Sequence, residues 1–190
     1  MTIDELKKLL TVRLSEKRLH HVLAVRKQAM LLADIYGADR KKAELAALLH
    51  DITKEESVER QLQKLLKSDI IFSEEILKTP PLYHAKTGML LARDELGVTD
   101  EDVLNAVSYH TTGRGGMSIL EKIIFVADAT SEERKYQGVK QLRELSYTDI
   151  NGAILELTVD TLKKITNTGS FLPIDTAECY NEMLHMSKKK

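Results

Sequence analysis

Helix-type patterning runs along almost the whole chain, and it restricts the fold more than any other feature of the sequence. After Ser15, apolar residues recur at helical spacing, as at Leu19, Val22 and Val25. Stretches in which Val, Ile or Thr occupy every second position are lacking, and only three prolines occur in 190 residues. Because alternation marks strands and proline interrupts helices, the sequence predicts an all-α fold.

Capping signals predict where several of the helices begin and end. Gly37, Gly97 and Gly169 are expected to end helices in the left-handed conformation. Three pairs fit the capping-box pattern: Thr2 with Glu5, Ser118 with Glu121, and Asp175 with Glu178. Helices are expected at about 16–36, 40–50, 57–67, 82–96, 100–111, 118–129, 138–146, 149–167 and 175–187.

Length, charge and cysteine content limit the classes of protein to which the chain could belong. A chain of 190 residues predicts a single domain spanning 1–190, with its core at about 15–165 and C-terminal helices up to 187. The net charge of −1 argues against a strongly basic nucleic-acid-binding domain, and no apolar run approaches the roughly 20 residues that span a bilayer. Neither nucleic acid nor a membrane is therefore expected as a partner.

Cys179 is the one cysteine in the chain, so an intramolecular disulfide framework and a cysteine-cluster zinc site are both excluded. The N-terminal segment lacks the uninterrupted apolar core of a signal peptide. A reducing cytoplasmic location is therefore expected.

An ordered series of histidines and aspartates is the distinctive feature of the sequence. The members are His21, His50, Asp51, His84, His110 and Asp128. Their spacings of 29, 33, 26 and 18 residues are too long for a zinc finger or an HExxH helix, but they suit a bundle in which several helices each contribute a ligand. Asp128 ends the apolar run 123–127, so its carboxylate is expected to be partly buried, which is costly without a cation or donors. A single histidine is usually a surface or core residue, but the joint pattern favours a metal site.

The H…HD…H…H…D order resembles the HD-domain metal-dependent phosphohydrolase superfamily, which implies an HD-domain helical bundle. The local sequences narrow the resemblance to the YqeK-type HD hydrolases, bacterial symmetrical hydrolases of diadenosine tetraphosphate, and it covers about residues 15–165. The segments that carry it are RLHHVLAV, AALLHDITK, YHAKTG and SYHTTGRGGMSILEKIIFVADATSEERKYQGV.

The resemblance implies a site for two divalent metal ions. It assigns the first ion to His21, His50, Asp51 and Asp128, and it makes Asp51 a bridge to a second ion held by His84 and His110. The Arg-x-x-His-Val pattern falls on Arg18 and His21, so His21 is chosen as the first ligand rather than His20. Imidazole and carboxylate donors suit Fe, Mn, Co or Zn better than Mg. The resemblance implies iron, with manganese or cobalt as alternatives.

Phosphate substrates also need positive charge from the protein. Asp51, Lys54 and Arg134 are the expected catalytic residues. The expected substrate contacts are Lys54, Thr111, Thr112, Arg114 and Arg134. The alternative for Lys54 and Arg114 is that their charges lie in solvent, and the alternative for Thr111 and Thr112 is that they cap a helix. Glu132 and Glu133 are expected at the surface. The family often has Ile-Glu-Pro-x-Arg after the final Asp, whereas this chain has ATSEER, with Arg134 still at the matching position.

The implied reaction is metal-dependent hydrolysis of a dinucleoside tetraphosphate to two nucleoside diphosphates. The alternatives are another HD phosphohydrolase, such as a nucleotidase or cyclic-dinucleotide phosphodiesterase, and a non-catalytic HD sensor of nucleotides. The HTTGRGGMS segment favours the first because it extends beyond the shared HD core. A homodimer is left open. The aromatic residues nearest to the motif are Tyr83, Tyr109, Phe125 and Tyr136, and each is expected to be core more often than a base-stacking platform.

Overall fold

The computed structural model describes residues 2–188, and this part of the chain is helical and contains no strand. The all-α prediction is confirmed. Met1, Lys189 and Lys190, at the ends of the predicted 1–190 domain, lie outside the described residues. The helices are α1 (Ile3–Arg13), α2 (Glu16–Tyr36), α3 (Arg40–Leu49), α4 (Val58–Lys67), α5 (Glu74–Leu77), α6 (Tyr83–Asp94), α7 (Glu101–Tyr109), α8 (Ile119–Thr130), α9 (Val139–Ser146), α10 (Ile150–Thr168) and α11 (Ile174–Ser187), with a 3-10 helix at Pro80–Leu82.

Most of the predicted helix ends agree with the structure. Thr2 and Ser118 form complete capping boxes, and Gly37 and Gly169 end α2 and α10 in the left-handed conformation. The capping box predicted at Asp175 is wrong. Helix α11 begins directly after Pro173, so Asp175 lies in the first turn and lacks the extended backbone of an N-cap residue.

Two short elements between α4 and α6 were not predicted. Helix α5 has only four residues and the 3-10 helix at Pro80–Leu82 has three, so neither completes enough turns to show a helical repeat. The predicted helices 82–96 and 100–111 correspond to α6 and α7, which end two residues earlier than expected.

A continuous apolar core places the site at the centre of the bundle. Helix α2 packs against α3 and α8, while α7 packs against α6, α3 and α8. At Gly88, α6 approaches the end of α3 so closely that an added Cβ would lie 3.5 Å from the carbonyl oxygen of Leu49. The C-terminal end of α3 and the middle of α6 are therefore brought next to each other. Nowhere between residues 2 and 188 is a helix both long enough and apolar enough to span a membrane.

Candidate metal centre

The six predicted metal ligands converge from five helices on one place in the bundle. His21 belongs to α2 and Asp128 to α8, whereas His84 lies in the first turn of α6. His50 and His110 directly follow the last residues of α3 and α7, and Asp51 follows His50. The four imidazoles and Asp51 are buried. Long sequence separations are thus closed by helix packing, as the spacing predicted.

Asp51 stands between two groups of histidines. Its Oδ2 atom lies 3.5 Å from Nε2 of His21 and 3.5 Å from Nε2 of His50. Its Oδ1 atom lies 3.3 Å from Nε2 of His84 and 3.9 Å from Nε2 of His110. Two sets of three residues each have one ligand atom per residue within 4.8 Å of the others. They are His21, His50 and Asp51, and Asp51, His84 and His110. One carboxylate therefore faces two candidate sites.

Asp128 lies beside the first of these groups. Its Oδ1 atom is 3.1 Å from Nε2 of His21, and its side chain is 24% exposed. The partial burial that the apolar run before Asp128 predicted is confirmed. The first group thus has two imidazoles and two carboxylates close together.

Backbone carbonyls orient two of the histidine rings. Nδ1 of His50 lies 2.7 Å from the carbonyl oxygen of Ala47, and Nδ1 of His110 lies 2.7 Å from that of Val107. A carbonyl oxygen can only accept, so Nδ1 carries the proton in both rings. The Nε2 atoms therefore face Asp51, which is the arrangement that metal-binding histidines use. Burial alone would lower the pKa of His50, but the charge of Asp51 raises it.

The electrostatics of the centre favour the protonation states that bind metal. Burial, together with the neighbouring His110, lowers the pKa of His84 to about 2, and burial with His50 nearby lowers the pKa of His110 to about 4. Burial alone would raise the pKa of Asp51, but the charge of His50 and its hydrogen bond hold it well below its usual range. Asp128 behaves in the same way, with its pKa lowered mainly by His21 and His50. Ionised carboxylates next to neutral His84 and His110 are the states that bind metal at neutral pH.

The donor set fits a divalent metal ion. The Nε2 atoms of His21 and His50 are 3.4 Å apart, and those of His84 and His110 are 3.2 Å apart. A cation between these nitrogens and the buried carboxylate would stabilise the arrangement. Metal–ligand bonds of about 2.0–2.2 Å correspond to ligand–ligand distances of roughly 3.0–3.5 Å, which are the separations observed here.

Comparison with known proteins identifies the family. The family model described as HD domain matches residues 18–133. The chain belongs to the HD domain family. The predicted resemblance is thereby confirmed.

Two curated relatives of this HD protein extend over most of its length. It is 42% identical over 176 residues to a protein of Halalkalibacterium halodurans named "Bis(5'-nucleosyl)-tetraphosphatase, symmetrical", covering 90% of this chain and 91% of the relative. It is 37% identical over 169 residues to the Bacillus subtilis protein of the same name, covering 89% and 90%.

A solved structure has the same architecture. A crystal structure from Clostridium acetobutylicum, described as a predicted HD superfamily hydrolase involved in NAD metabolism, superposes with a TM-score of 0.94. The two sequences are 36% identical, and the match covers 98% of each chain. The predicted HD-domain helical bundle is confirmed.

Glu133 contacts the metal centre of the HD domain although the sequence placed it at the surface. Its Oε1 atom lies 2.6 Å from Nδ1 of His21 and accepts a 2.9 Å hydrogen bond from Ser131. The expectation is wrong because the chain after α8 folds back over His21. Its neighbour Glu132 is exposed, as expected, and pairs with Lys27.

Arg18 is a second contact residue that was not predicted. Its Nη1 atom donates a 2.8 Å hydrogen bond to Oδ2 of Asp51. Arg18 and His21 are three residues apart, so they share one face of α2. That spacing could have indicated that Arg18 faces the same site as His21. His20 is exposed, whereas His21 is buried in the centre.

Lys54 and Arg134 lie beside the ligands. Nε of Arg134 donates to the backbone carbonyl of Asp128 at 2.9 Å, and Nη2 donates to its Oδ1 at 2.5 Å. Nζ of Lys54 lies 3.1–3.2 Å from the two ring nitrogens of His84. Burial lowers the pKa of Lys54, and the charge of Asp51 opposes this shift. Both cations border the candidate ligand groups.

The predicted substrate contacts between α7 and α8 have different surroundings. The guanidinium of Arg114 binds Glu121 through two hydrogen bonds of 2.6 and 2.8 Å, and it lies 4.8 Å from the centre of the Tyr109 ring. The hydroxyl oxygens of Thr111 and Thr112 are buried and have no hydrogen-bond partner among residues 2–188. The threonine hydroxyls therefore stand buried without a partner in this part of the chain, whereas the guanidinium of Arg114 is bound to Glu121.

Proposed function

We propose that this HD domain protein hydrolyses dinucleoside tetraphosphates symmetrically, so that diadenosine tetraphosphate gives two molecules of ADP. The observation that carries the proposal is the pair of histidine groups that share Asp51, with Arg134 and Lys54 beside them. The names of the Halalkalibacterium halodurans and Bacillus subtilis relatives, which align with about nine-tenths of the chain, support this substrate.

The centre is proposed to hold two divalent metal ions. The residues of the first group are His21, His50, Asp51 and Asp128, and those of the second are His84, His110 and the shared Asp51. Iron is the expected metal because the family resemblance implies it, and manganese and cobalt are alternatives that imidazole and carboxylate donors also suit. When bound, such ions supply positive charge for phosphate oxygens and lower the pKa of water for attack at phosphorus.

The protein's own cations complete the proposed site. Arg134 is held by Asp128, so its guanidinium is oriented before substrate arrives. Lys54 lies at the other group of ligands, beside His84. These two residues would neutralise the phosphates on either side of the bond that breaks, while Thr111 and Thr112 would donate hydrogen bonds. A contact from Arg114 would require its guanidinium to leave Glu121.

The reaction consumes one water for each bond broken. The oxygen of water forms a bond to one of the two central phosphorus atoms, and the bridging P–O bond between them breaks. The leaving nucleoside diphosphate takes the electron pair of that bond. Two nucleoside diphosphates and a proton result.

The identity of the products tests the proposal. Metal-loaded protein is incubated with diadenosine tetraphosphate, and the nucleotides are separated by anion-exchange chromatography. ADP as the sole product supports symmetrical cleavage, whereas ATP with AMP contradicts it. Turnover of mononucleotides or cyclic dinucleotides, without turnover of the tetraphosphate, would instead indicate another HD phosphohydrolase. A cytoplasmic location and a homodimer remain predictions.

A further inference from the structure

A basic groove begins next to the metal centre and runs along the start of α9. It encloses about 440 Å³ and is bordered by Arg134, Lys135, Tyr136, Lys140 and Arg143, together with Glu132. We call it the Arg134 groove. Arg134 contacts Asp128 and also borders the groove, so one end of the groove lies beside a predicted metal ligand.

Of the four cations that border the Arg134 groove, Arg134 pairs with Asp128, whereas the other three have no acidic partner among residues 2–188. The one acidic residue of the groove, Glu132, pairs with Lys27, which does not line the groove. Lys135 and Lys140 are exposed and form no ion pair within residues 2–188. Arg143 donates to two neutral acceptors, the carbonyl oxygens of Thr130 at 2.5 Å and Ser131 at 2.8 Å. The groove therefore favours an anionic ligand.

Tyr136 presents an accessible aromatic ring in this groove. Tyr83 and Phe125 are buried in the core, with 2% and 7% exposure. The ring of Tyr109 is in contact with Lys86, whose Nζ lies 3.8 Å from the ring centre, and with Arg114. Tyr136 is 45% exposed, and its hydroxyl donates to the carbonyl oxygen of Ala129 at 2.9 Å. Of the four aromatic residues near the motif, Tyr136 is the one with a fixed position and an open ring.

We propose that the Arg134 groove binds one nucleoside diphosphate half of the substrate, with the base stacked on Tyr136, the outer phosphate beside Lys135 and Lys140, and the inner phosphate at the metal centre. This inference rests on the proposed function. Symmetrical cleavage places the middle of the tetraphosphate at the metal centre, so each nucleoside half must extend away from it. The volume of the groove lies within the roughly 300–1,000 Å³ of typical small-ligand pockets.

Binding of ADP, the product of the proposed reaction, tests the groove directly. Isothermal titration calorimetry on the metal-loaded protein compares wild type with Tyr136→Leu, Tyr136→Phe and Lys140→Glu. Tyr136→Leu is expected to weaken ADP binding about 5- to 100-fold, because base–aromatic stacking is lost. Tyr136→Phe keeps the ring and should bind within about 3-fold of wild type. Lys140→Glu should weaken binding by about 10-fold, and less at high salt.

Two exposed residues outside the groove provide matched controls. Phe171→Leu removes an exposed aromatic ring, and Lys164→Glu makes the same charge change as Lys140→Glu. Both variants should bind ADP as wild type does. Inorganic pyrophosphate, which has no base, separates the contribution of base stacking from that of phosphate binding. Lys140→Glu should weaken pyrophosphate binding, whereas Tyr136→Leu should leave it unchanged.

The same variants predict a kinetic pattern with diadenosine tetraphosphate. Tyr136→Leu should raise KM by about the factor lost in ADP affinity, with kcat within about 2-fold of wild type, since stacking acts far from the bond that breaks. Wild-type affinity for ADP in both Tyr136→Leu and Lys140→Glu would overturn the inference, and so would an absence of ADP binding to wild type at millimolar concentration. If ADP binds in a Tyr136-dependent way but the tetraphosphate is not cleaved to ADP, the groove stands and the proposed reaction fails.

Discussion

Nδ1 of His21 lies 2.6 Å from Oε1 of Glu133, although the two residues are 112 positions apart in the sequence. Ser131 donates to the same carboxylate oxygen. The Glu133 carboxylate is therefore held in place with its negative charge beside the His21 ring. A carboxylate on Nδ1 fixes the proton there and orients Nε2 toward Asp51 and Asp128. Glu133 therefore orients a predicted metal ligand without being one.

Removal of this carboxylate should weaken metal binding. Glu133→Ala is expected to lower the affinity for the metal ion roughly 10- to 100-fold, the usual cost of losing a residue that orients a ligand. Glu133→Gln should recover part of the loss, because its amide oxygen can still accept from Nδ1. The measurement is competition with a chromophoric chelator. Glu132→Gln changes the neighbouring exposed carboxylate and should bind metal like wild type. Wild-type affinity in Glu133→Ala would contradict the orienting role.

Asp51 should be needed by both ligand groups, because each of its oxygens faces a different pair of histidines. Asp51→Asn removes the shared negative charge, so metal content should fall below one ion per chain. The proposed catalysis should then lose several kcal/mol of stabilisation, and kcat should fall at least about 100-fold. Elemental analysis and initial rates on diadenosine tetraphosphate give the two readouts. Asp160→Asn, at an exposed aspartate paired with Lys163, is the control. Unchanged turnover in Asp51→Asn would refute the assignment.

Removal of metal should destabilise the fold. A ligand at 100 times its Kd adds about 2.7 kcal/mol to the stability of the folded state. For a chain of this length that corresponds to a Tm shift of roughly 5–10 °C. Differential scanning calorimetry before and after chelation, and again after metal is restored, measures the effect. A Tm that chelation leaves unchanged would mean that the centre contributes nothing to stability.

The metal-free protein should lose stability in weak acid. The pKa of buried His110 is lowered to about 4, from 6.5 in the unfolded chain, so the unfolded chain binds protons first as the pH falls. The contribution of His110 to the free energy of unfolding is therefore complete above pH 6.5. It is lost as the pH falls from 6.5 to about 4. At about 1.4 kcal/mol per pKa unit, this residue alone accounts for roughly 3 kcal/mol. Denaturant unfolding between pH 7 and 4 tests it: His110→Gln should show the smaller pH dependence, and an equal dependence in both proteins would rule out this cause.

Helical patterns in the sequence explain why several of the predicted ligands converge in the structure, whereas their metal binding stays a prediction. Asp128 closes an apolar run of α8, and His50 follows the apolar end of α3, so both side chains enter the core when the helices pack. The choice of His21 over His20 also agrees with the burial of these residues. In each case the helical periodicity determines the direction of the side chain.

The sequence was less informative where the chain leaves its helices. Glu133 lies beyond the last residue of α8, where no repeat indicates the direction of a side chain. Arg114 lies in a glycine-rich loop, and its partner Glu121 also accepts from the backbone of Ser118 in the capping box. The capping box was visible in the sequence, but the second contact of Glu121 depends on how the loop returns to α8. A substrate contact for Arg114 remains a prediction.

Metal titration of the reaction tests the central claim most directly. Protein freed of metal is titrated with iron(II) under anaerobic conditions, and the release of ADP from diadenosine tetraphosphate is followed at each step. We expect no turnover without metal, a rate that rises until about two ions are bound per chain, and ADP as the only nucleotide product. Full turnover in the chelated protein, or release of ATP and AMP, would contradict it.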